Sequence, residues 1–337
     1  MMIKKRVLLS DVASHAGLSK ATVSRYLNNS IVLPHETIAR IESAIAELDY
    51  RGNSLARRLS KGGSETLGLV LPDITNPFFA ELADAAEEAA FEHGYSLVLC
   101  ITRNNPEKET QFIRWLDTCQ VDGLLFTTNR PDNGLLRREI QRHQRIVLLD
   151  EDIPGSQVPK VFADNVQGGF IATQQLIAAG HQQIAFIGGP DELMSVRERY
   201  QGFCTALAQA GLHCPPEWVM YGEYQREFGQ QALRTLFSKA IRPTAIFAAS
   251  DFLVLGLLDG LRELGLRAPD DLSLVGFDDA SYADFTQPRI STIRQPAREL
   301  GRTAVSLMLR LLNGEENVPA ETRLPVTWIG RDSIQSR

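Results

Sequence analysis

Residues 9–27, LSDVASHAGLSKATVSRYL, decide how the amino-terminal part of the chain folds. The Ser10 hydroxyl can cap a short first helix by accepting from the free amides of its first turn, and Gly17 then ends that helix. Ser19 can cap a second helix, whose apolar side chains lie one turn apart and face the first helix. Two short helices with a glycine between them predict a helix-turn-helix.

The outward face of the second helix is small and basic. At about 100° per residue, Ala21, Ser24 and Arg25 share one arc, and Lys20 lies at its edge. Arginine and lysine can donate to guanine in a major groove, and alanine can contact a thymine methyl group. The pattern therefore favours a recognition helix, but a solvated helix hairpin at the start of a globular domain has the same pattern.

The residues expected to contact DNA divide by role. Lys20, Ala21 and Arg25 are the expected base contacts, whereas other polar side chains are expected to hold phosphates. The phosphate group comprises Ser19, Thr22, Ser24, Asn28 and Tyr50. We also include Ser10, Asn53 and Ala56 among the expected DNA contacts.

Residues 36–48 predict a third helix with one apolar stripe, which completes a small three-helix core. After Tyr50, Asn53 or Ser54 can cap a short helix that carries two arginines, before two glycines loosen the chain. The sequence thus predicts a DNA-binding domain over residues 1–52, a hinge helix and linker over 53–63, and a larger domain over 64–337.

The net charge of the first 63 residues is opposite in sign to that of the rest of the chain. Residues 1–63 contain ten Lys plus Arg and five acidic residues, a net charge of +5. The whole chain has 35 basic and 41 acidic residues, so the remainder has 25 and 36, a net charge of −11. A basic head on an acidic body concentrates the attraction for phosphate in one place.

From residue 65 onward, short apolar runs alternate with helical patterns, which predicts βαβ units and parallel sheets. Expected strands in the first series are residues 67–71, 97–101, 123–126 and 146–149, with helices near 79–92, 106–119 and 134–143. The second series begins near Val161, with strands at 184–187, 245–248 and 272–277 and helices near 168–179, 196–210, 229–237 and 252–264. The fold class is therefore an all-α helix-turn-helix head plus an α/β domain of two doubly wound parallel-sheet lobes.

Several classes of function lack their sequence signatures. No GxGxxG follows a strand, no GxxxxGK[ST] occurs, and no Ser or Cys lies in a recognisable nucleophile elbow, so an enzyme is disfavoured. The four cysteines form no CxxC pair and the histidines have no metal-ligand spacing, so we expect no metal and no cofactor. Without a membrane span or signal-peptide core, the expected location is cytoplasmic, with no membrane partner.

The motifs DVASHAGLSKATVSRYLNN, IARIESAIAELDYRGNSLARRLS and GLVLPDITNPFFAEL resemble the lactose repressor and galactose repressor (LacI/GalR) family of bacterial transcriptional regulators. The resemblance continues through DNVQGG, GHQQIAFIGGP, RPTAIFAASD, SLVGFDD and ISTIRQP, so it covers nearly the whole chain. It implies the architecture of type I periplasmic sugar-binding proteins, in which the chain crosses between lobes three times and the helix at 297–312 returns to the first lobe. It also implies that Leu59 is a hinge leucine that wedges into the minor groove.

A ligand pocket is expected in the cleft between the lobes, because parallel sheets bind ligands beyond the carboxyl ends of their strands. Four strand ends matter most: residues 72–79, 150, 250–251 and 277–279. The resemblance implies that Asp278 accepts hydrogen bonds from the effector and that Arg197 donates to it, with Asp150 as a third polar contact. Phe79 and Tyr224 would supply aromatic walls. Ser250 departs from several sugar-responsive relatives, which have Asn there.

Each of these residues also has a structural interpretation. Asp278 can cap a turn, Arg197 can form a surface salt bridge, and Phe79 can belong to the core. An acid, an arginine and aromatic rings suit a sugar, a sugar acid, a sugar phosphate or a purine.

The expected mechanism is that of a homodimer on operator DNA, in which a ligand closes the cleft and shifts the equilibrium between bound and released states. The chain lacks a leucine-heptad tail, so we expect a dimer and not a tetramer. We expect a repressor of a carbohydrate-utilisation operon, with a purine-responsive regulator as the alternative. A transport binding protein would share the two lobes but would need an export signal in place of the basic head.

Overall fold

A computed structural model describes residues 7–27, 30–50, 63–132 and 134–337. The chain divides into two compact units, Met1–Ser64 and Glu65–Arg337. Among the described residues, no helix is long and apolar enough to cross a membrane.

The described residues of the first unit form three helices, α1 (Leu9–His15), α2 (Lys20–Leu27) and α3 (His35–Glu47). One fully buried side chain from each helix, Val12, Val23 and Ile41, meets in their shared core. Gly17 makes the turn between α1 and α2 with a φ of +64°, a conformation that glycine adopts at little cost. The three helices therefore form the small core that the sequence predicts.

The α1 cap differs from the sequence expectation, and the cap of α2 agrees with it. Helix α1 begins at Leu9, so Ser10 lies inside it, and the predicted Ser10 cap is wrong. Asp11 instead accepts from the Leu8 amide at 2.8 Å. In α2, the Ser19 hydroxyl accepts from the Thr22 amide at 3.0 Å, as a helix cap does.

The first lobe of the second unit is built on a six-stranded parallel sheet with the strand order β11-β5-β4-β3-β1-β2. Its strands are β1 (Thr66–Leu71), β2 (Ser96–Ile101), β3 (Gly123–Phe126), β4 (Ile146–Leu149), β5 (Lys160–Ala163) and β11 (Glu321–Leu324). Its helices are α4 (Pro77–Glu92), α5 (Pro106–Ile113), α6 (Leu135–Ile140) and α11 (Ala297–Leu312). Apolar side chains of α4 and α11 pack together against the sheet.

The second lobe has the strand order β12-β10-β9-β8-β6-β7, in which the β12–β10 pair is antiparallel and the other pairs are parallel. Its strands are β6 (Ile184–Gly188), β7 (Val219–Tyr221), β8 (Ala245–Ala248), β9 (Ser273–Asp278), β10 (Ser291–Arg294) and β12 (Thr327–Ile329). Its helices are α7 (Asn165–Ala178), α8 (Met194–Gln209), α9 (Arg226–Phe237) and α10 (Asp251–Glu263).

The chain passes between the lobes at three places: after β5, after β10 and after β11. This confirms the crossings and the return of the 297–312 helix that the family resemblance implies. One detail is different: β5, which contains Val161, lies between β4 and β11 in the first sheet and does not open the second series. The crossings bring the carboxyl ends of both sheets to one cleft.

Candidate functional site

The outward face of α2 has the exposure that a DNA-reading surface needs. Lys20, Ala21 and Arg25 are exposed, and Thr22 and Ser24 are half-buried beside them. The Ser19 hydroxyl lies 2.8 Å from the Thr22 hydroxyl, so these two side chains stabilise the start of the helix. Exposed cations next to small side chains can reach both phosphates and base edges.

The other expected DNA contacts are distributed around this face or fall outside the described residues. Ser10 is exposed on α1, and Tyr50 is half-buried against the three-helix core. The Tyr26 hydroxyl donates to Glu42 at 2.9 Å and ties α2 to α3. Asn28, Asn53, Ala56 and Leu59, with most of the predicted hinge, lie outside the described residues.

The cleft between the two lobes is lined by polar and aromatic side chains from both lobes. The structure brings five of the six expected effector contacts to it, Phe79, Asp150, Tyr224, Ser250 and Asp278. The remaining lining residues are Asn76, Phe78, Asn129, Ser195, Arg199 and Gln295.

Asp278, at the end of β9, is held on both of its carboxylate oxygens. The Ser250 hydroxyl donates to Oδ2 at 2.7 Å, and the Gln295 amide donates to Oδ1 at 2.8 Å. Its backbone has a φ of +120°, a strained conformation of the kind that clusters at functional sites. Burial raises the pKa of Asp278, and the nearby Arg199 guanidinium opposes that shift.

Asp251 fixes the turn that carries Asp278. Its Oδ2 accepts from the Ala280 amide and its Oδ1 from the Thr292 hydroxyl, both at 2.8 Å. A Cβ at Gly276 would lie only 1.9 Å from the Asp251 carboxylate, so the strand needs glycine at this point. The first residue of α10 therefore positions the cleft carboxylate at the end of β9.

Arg199 is the cation of the cleft, and its side chain is only 3% exposed. Its Nε donates to Asn165 at 2.9 Å and its Nη1 to the Ala249 carbonyl at 2.6 Å. The guanidinium also lies 3.8 Å from the centroid of the Phe277 ring. These contacts fix a charged donor in a buried place, where its interactions are little screened.

Arg197 does not reach the cleft, so its expected contact with the effector is wrong in placement. Its side chain is exposed and donates to the Glu192 carbonyl. Arg197 and Arg199 are two positions apart on α8, so they project from different faces of the helix. The face that turns inward carries Arg199.

Asp150 follows β4 and has a φ of +65°. Burial raises its pKa to about 6, and Arg199 opposes the shift. Glu151, the next residue, is also buried, and burial raises its pKa to about 7 against the hydrogen bonds from Ser195. The cleft therefore contains carboxyl groups that change charge close to neutral pH.

Aromatic rings form part of the cleft wall. Phe78 and Phe79 meet edge to face with their centroids 5.1 Å apart, and both line the cleft. Tyr224 packs so closely on Gly189 that a Cβ there would lie 2.4 Å from the ring. Burial raises the pKa of the Tyr224 phenol, so it stays neutral.

Three buried polar atoms of cleft-lining residues have no hydrogen-bond partner among the described residues. They are Asp150 Oδ1, the Tyr224 hydroxyl and Gln295 Oε1. Buried polar atoms are nearly always paired, so unpaired atoms at a cleft indicate where a ligand or water binds. In the described part of the chain, no group of three or more His, Cys, Asp or Glu side chains is arranged to hold a metal ion.

Comparison with known proteins identifies both units. Residues 8–53 match the family model described as bacterial regulatory proteins, lacI family, and residues 64–332 match periplasmic binding proteins and sugar binding domain of LacI family. The chain belongs to the LacI family. Members of this family are DNA-binding transcriptional regulators and not enzymes, and this chain is such a regulator.

Similar members of the LacI family cover almost the full length of the chain. The HTH-type transcriptional repressor PurR of Photorhabdus laumondii is 34% identical over 92% of this chain and 92% of its own. A lac repressor dimer bound to operator and the anti-inducer ONPF superposes with a TM-score of 0.87 at 28% identity, over 98% of this chain and all of that chain. The transcriptional regulator CelR in complex with cellobiose superposes with a TM-score of 0.75 at 32% identity, over 97% of this chain and all of that chain.

Sequence reasoning missed several residues that line the cleft of this LacI-family chain. Asn129 lies just beyond the carboxyl end of β3. The rule that ligands bind beyond the carboxyl ends of parallel strands, which selected Asp150, would also have selected Asn129. Gln295 lies in the second crossing and Ser195 in the first turn of α8, positions that depend on how the lobes are placed. No pattern in the local sequence marks those two residues.

Proposed function

We propose that this chain represses a carbohydrate-utilisation operon and that a small sugar or sugar derivative, bound between the lobes, controls its binding to operator DNA. The observation that carries the proposal is the set of unpaired buried atoms Asp150 Oδ1, Tyr224 Oη and Gln295 Oε1. An unsatisfied buried polar group costs about 1–3 kcal/mol. A ligand rich in hydroxyl groups both donates and accepts, so it can satisfy all three together with Arg199.

The lining of the cleft suits a sugar ring, because it combines aromatic rings with polar side chains from both lobes. The rings of Phe79 and Tyr224 can pack on the C–H face of a sugar ring while polar groups bind its edge. A sugar can therefore use both kinds of lining side chain.

A purine is the second candidate. Curated relatives named PurR, which are purine repressors, favour it. A flat base can also stack on the aromatic rings of the cleft. The two candidates differ in hydrogen bonding, because a sugar presents hydroxyl groups around its whole edge, whereas a purine presents a few fixed donors and acceptors.

Control of DNA binding would follow from closure of the cleft. Asp150 belongs to the first lobe, whereas Arg199 and Asp278 belong to the second. A ligand that contacts all three stabilises one relative position of the lobes, and it shifts the protein by its differential affinity for that state. The base-reading residues Lys20, Ala21 and Arg25 would then engage or leave the operator.

A homodimer is part of the same proposal. Each lobe exposes large apolar side chains: Phe91 is 74% and Leu99 43% exposed in the first, and Phe285 is 88% exposed in the second. Exposed apolar side chains of this size favour a protein partner. A related lac repressor binds its operator as a dimer. Sedimentation of the full chain should give twice the monomer mass, and Leu99→Glu should shift the equilibrium toward monomer.

The experiment uses the full-length protein. An operator is first selected from random duplexes, and binding is then followed by fluorescence anisotropy with panels of monosaccharides and of purine bases. We expect one or more sugars to change operator affinity at least tenfold and Asp278→Asn to abolish that response. A response to purines and to no sugar would select the second candidate, and operator binding that no compound alters would contradict the effector proposal.

A further inference from the structure

Glu151 connects the two lobes at the edge of the cleft. It follows β4 of the first lobe, and its carboxylate accepts hydrogen bonds at the start of α8 in the second lobe. The donors are the Met194 amide, the Ser195 amide at 3.3 Å and the Ser195 hydroxyl at 2.7 Å. The Glu151 residue is only 3% exposed, so these bonds are shielded from water.

Helix α8 has no other cap in the structure. Its N-cap residue is Leu193, which makes no side-chain cap hydrogen bond, and its first turn contains no acidic residue. The free amides and the helix dipole at such an end attract a negative charge. When it is ionised, above its raised pKa of about 7, Glu151 supplies that charge from the opposite lobe.

The capped end of α8 belongs to the effector cleft. Ser195, which donates to Glu151, lines the cleft, and so does Asp150, the neighbour of Glu151 in the chain. A carboxylate or phosphate on an effector that reached this end of the cleft would meet a carboxylate and not free amides. The donors that bind such groups at helix ends are already in use.

The other charges of the cleft act in the same direction. Among the described residues that line the cleft, Asp150 and Asp278 are carboxyl groups and Arg199 is a cation, and a third carboxyl group, Glu151, contacts the lining residue Ser195. Two of the Arg199 donors already bind Asn165 and the Ala249 carbonyl. An anionic effector would therefore enter a region with more negative than positive groups, at close range and with little screening.

We propose that Glu151 determines the charge selectivity of the cleft: by capping α8 from the other lobe, it excludes effectors that carry a carboxylate or a phosphate and admits uncharged polyhydroxy compounds. This inference rests on the proposed effector function. It narrows the expected class of effector from sugars, sugar acids and sugar phosphates to uncharged sugars.

Glu198 provides a matched control. It also lies on α8 and also bridges the lobes, because Arg323 of β11 donates to its two oxygens at 2.7 and 2.8 Å. Glu151 and Glu198 both lie outside the cleft lining, but only Glu151 accepts hydrogen bonds from Ser195, which does line the cleft. Glu198→Ala therefore removes a contact between the lobes and leaves the cap of α8 in place.

The test measures the melting temperature of the full-length protein at pH 8, where Glu151 is ionised, in increasing inorganic phosphate at constant ionic strength. Glu151→Ala frees the start of α8, so phosphate should raise its melting temperature by about 3 °C more than that of wild type. Glu198→Ala should respond as wild type does. Because every variant keeps the basic residues of the DNA-binding domain, phosphate that binds there raises all the melting temperatures equally and cancels in the comparison. Glu151→Gln removes the charge but still fills the position at the start of α8. Phosphate should therefore raise its melting temperature by only about 1 °C more than that of wild type.

Two results would overturn the proposal. One is an equal response of wild type, Glu151→Ala and Glu151→Gln to phosphate, and the other is an equal gain in Glu198→Ala. Should Glu151→Ala fail to fold, the comparison of Glu151→Gln with Glu198→Ala decides the question.

A second arm compares glucose, galactose and ribose with glucuronate, galacturonate and ribose 5-phosphate. We expect wild type to respond only to uncharged members, and a wild-type response to the anionic members alone would contradict the role of Glu151. If none of the six stabilises any variant, the proposed sugar effector fails, while the phosphate titration still decides the role of Glu151.

Discussion

Lys20 and Arg25 on the second helix are exposed to solvent, whereas in the cleft Asp150 and Arg199 are buried and Asp278 is half-buried. Exposed charges attract phosphate over a distance of about one Debye length, and salt screens them. Buried charges are screened little, but burial shifts their protonation toward neutral pH. From this comparison we expect the proposed DNA-binding surface to respond to ionic strength and the cleft to respond to pH and to hydrogen-bonding groups.

The largest effect is expected from the buried cation. Arg199→Met leaves Asp150 and Asp278 without their compensating charge, so the free energy of unfolding should fall by about 3–5 kcal/mol and the effector response should be lost. Arg197→Met, at the exposed position, should change stability by about 0.5 kcal/mol or less. Urea titration followed by tryptophan fluorescence measures this, because all three tryptophans, Trp115, Trp218 and Trp328, lie in the larger unit. Equal losses in the two variants would contradict the placement of Arg199.

A pH titration tests the other half of the comparison. The pKa values of Asp150 and Glu151 are raised to about 6 and about 7, above the value of about 4 expected in the unfolded chain. Their contribution to stability is therefore fully present below about pH 4 and is lost as the pH rises through 6 to 7. From these two groups, the free energy of unfolding should fall by about 3–4 kcal/mol between pH 5 and pH 8.

The control for the pH titration is the double variant Asp150→Asn/Glu151→Gln. Its unfolding free energy should change less over the same pH range, by about the amount that the two carboxyl groups contribute. An unchanged pH profile in the double variant would mean that other groups carry the dependence.

A smaller effect is expected at the DNA-binding surface. Arg25→Ala should weaken binding to a selected operator by about 1–3 kcal/mol and relax the sequence preference at the base pair that it contacts. Arg114→Ala, at an exposed arginine of the first lobe, is the matched control and should leave operator affinity unchanged. Fluorescence anisotropy with the selected duplex and single-base variants measures both, and a similar loss for Arg114→Ala would show that only net charge matters.

The smallest effect concerns the helix caps. Ser19→Ala removes the hydroxyl that accepts from the Thr22 amide and should destabilise the helical unit by about 1 kcal/mol. Ser10→Ala should be close to neutral, because Ser10 lies within α1. Amide hydrogen exchange over residues 9–47 distinguishes the two. Faster exchange in Ser10→Ala than in Ser19→Ala would restore the cap that the sequence predicted.

Much of the fold was predictable because several of its strands are fully buried on both faces. All six residues of β1 and all four of β3, β4 and β8 are buried, so they form continuous apolar runs in the sequence. Strands β7 and β11 are half-exposed and short, and the sequence analysis did not find them. The lobe to which β5 belongs depends on where the chain passes from one lobe to the other. The local pattern of apolar residues does not indicate that position.

The cleft was predictable where the strand-end rule applies and not where a helix supplies the contact. Asp150 and Asp278 follow strands directly, so their positions came from the sequence. On α8, the choice between Arg197 and Arg199 depends on the helix orientation. Gly202 gives a signal: a Cβ there would lie 2.1 Å from the Val166 carbonyl, so this glycine marks the packed face. It is three residues from Arg199 and so lies on the same face.

One measurement tests the contrast between the two surfaces most directly: the salt dependence of both binding reactions of the same full-length protein. Between 50 and 300 mM potassium chloride, at the pH of the effector titrations, the logarithm of operator affinity should fall linearly with the logarithm of salt concentration, with a slope of several units. The effector that responds in the panel should keep its affinity within about twofold over that range. Effector affinity that falls as steeply as operator affinity would contradict recognition of an uncharged effector in a buried site.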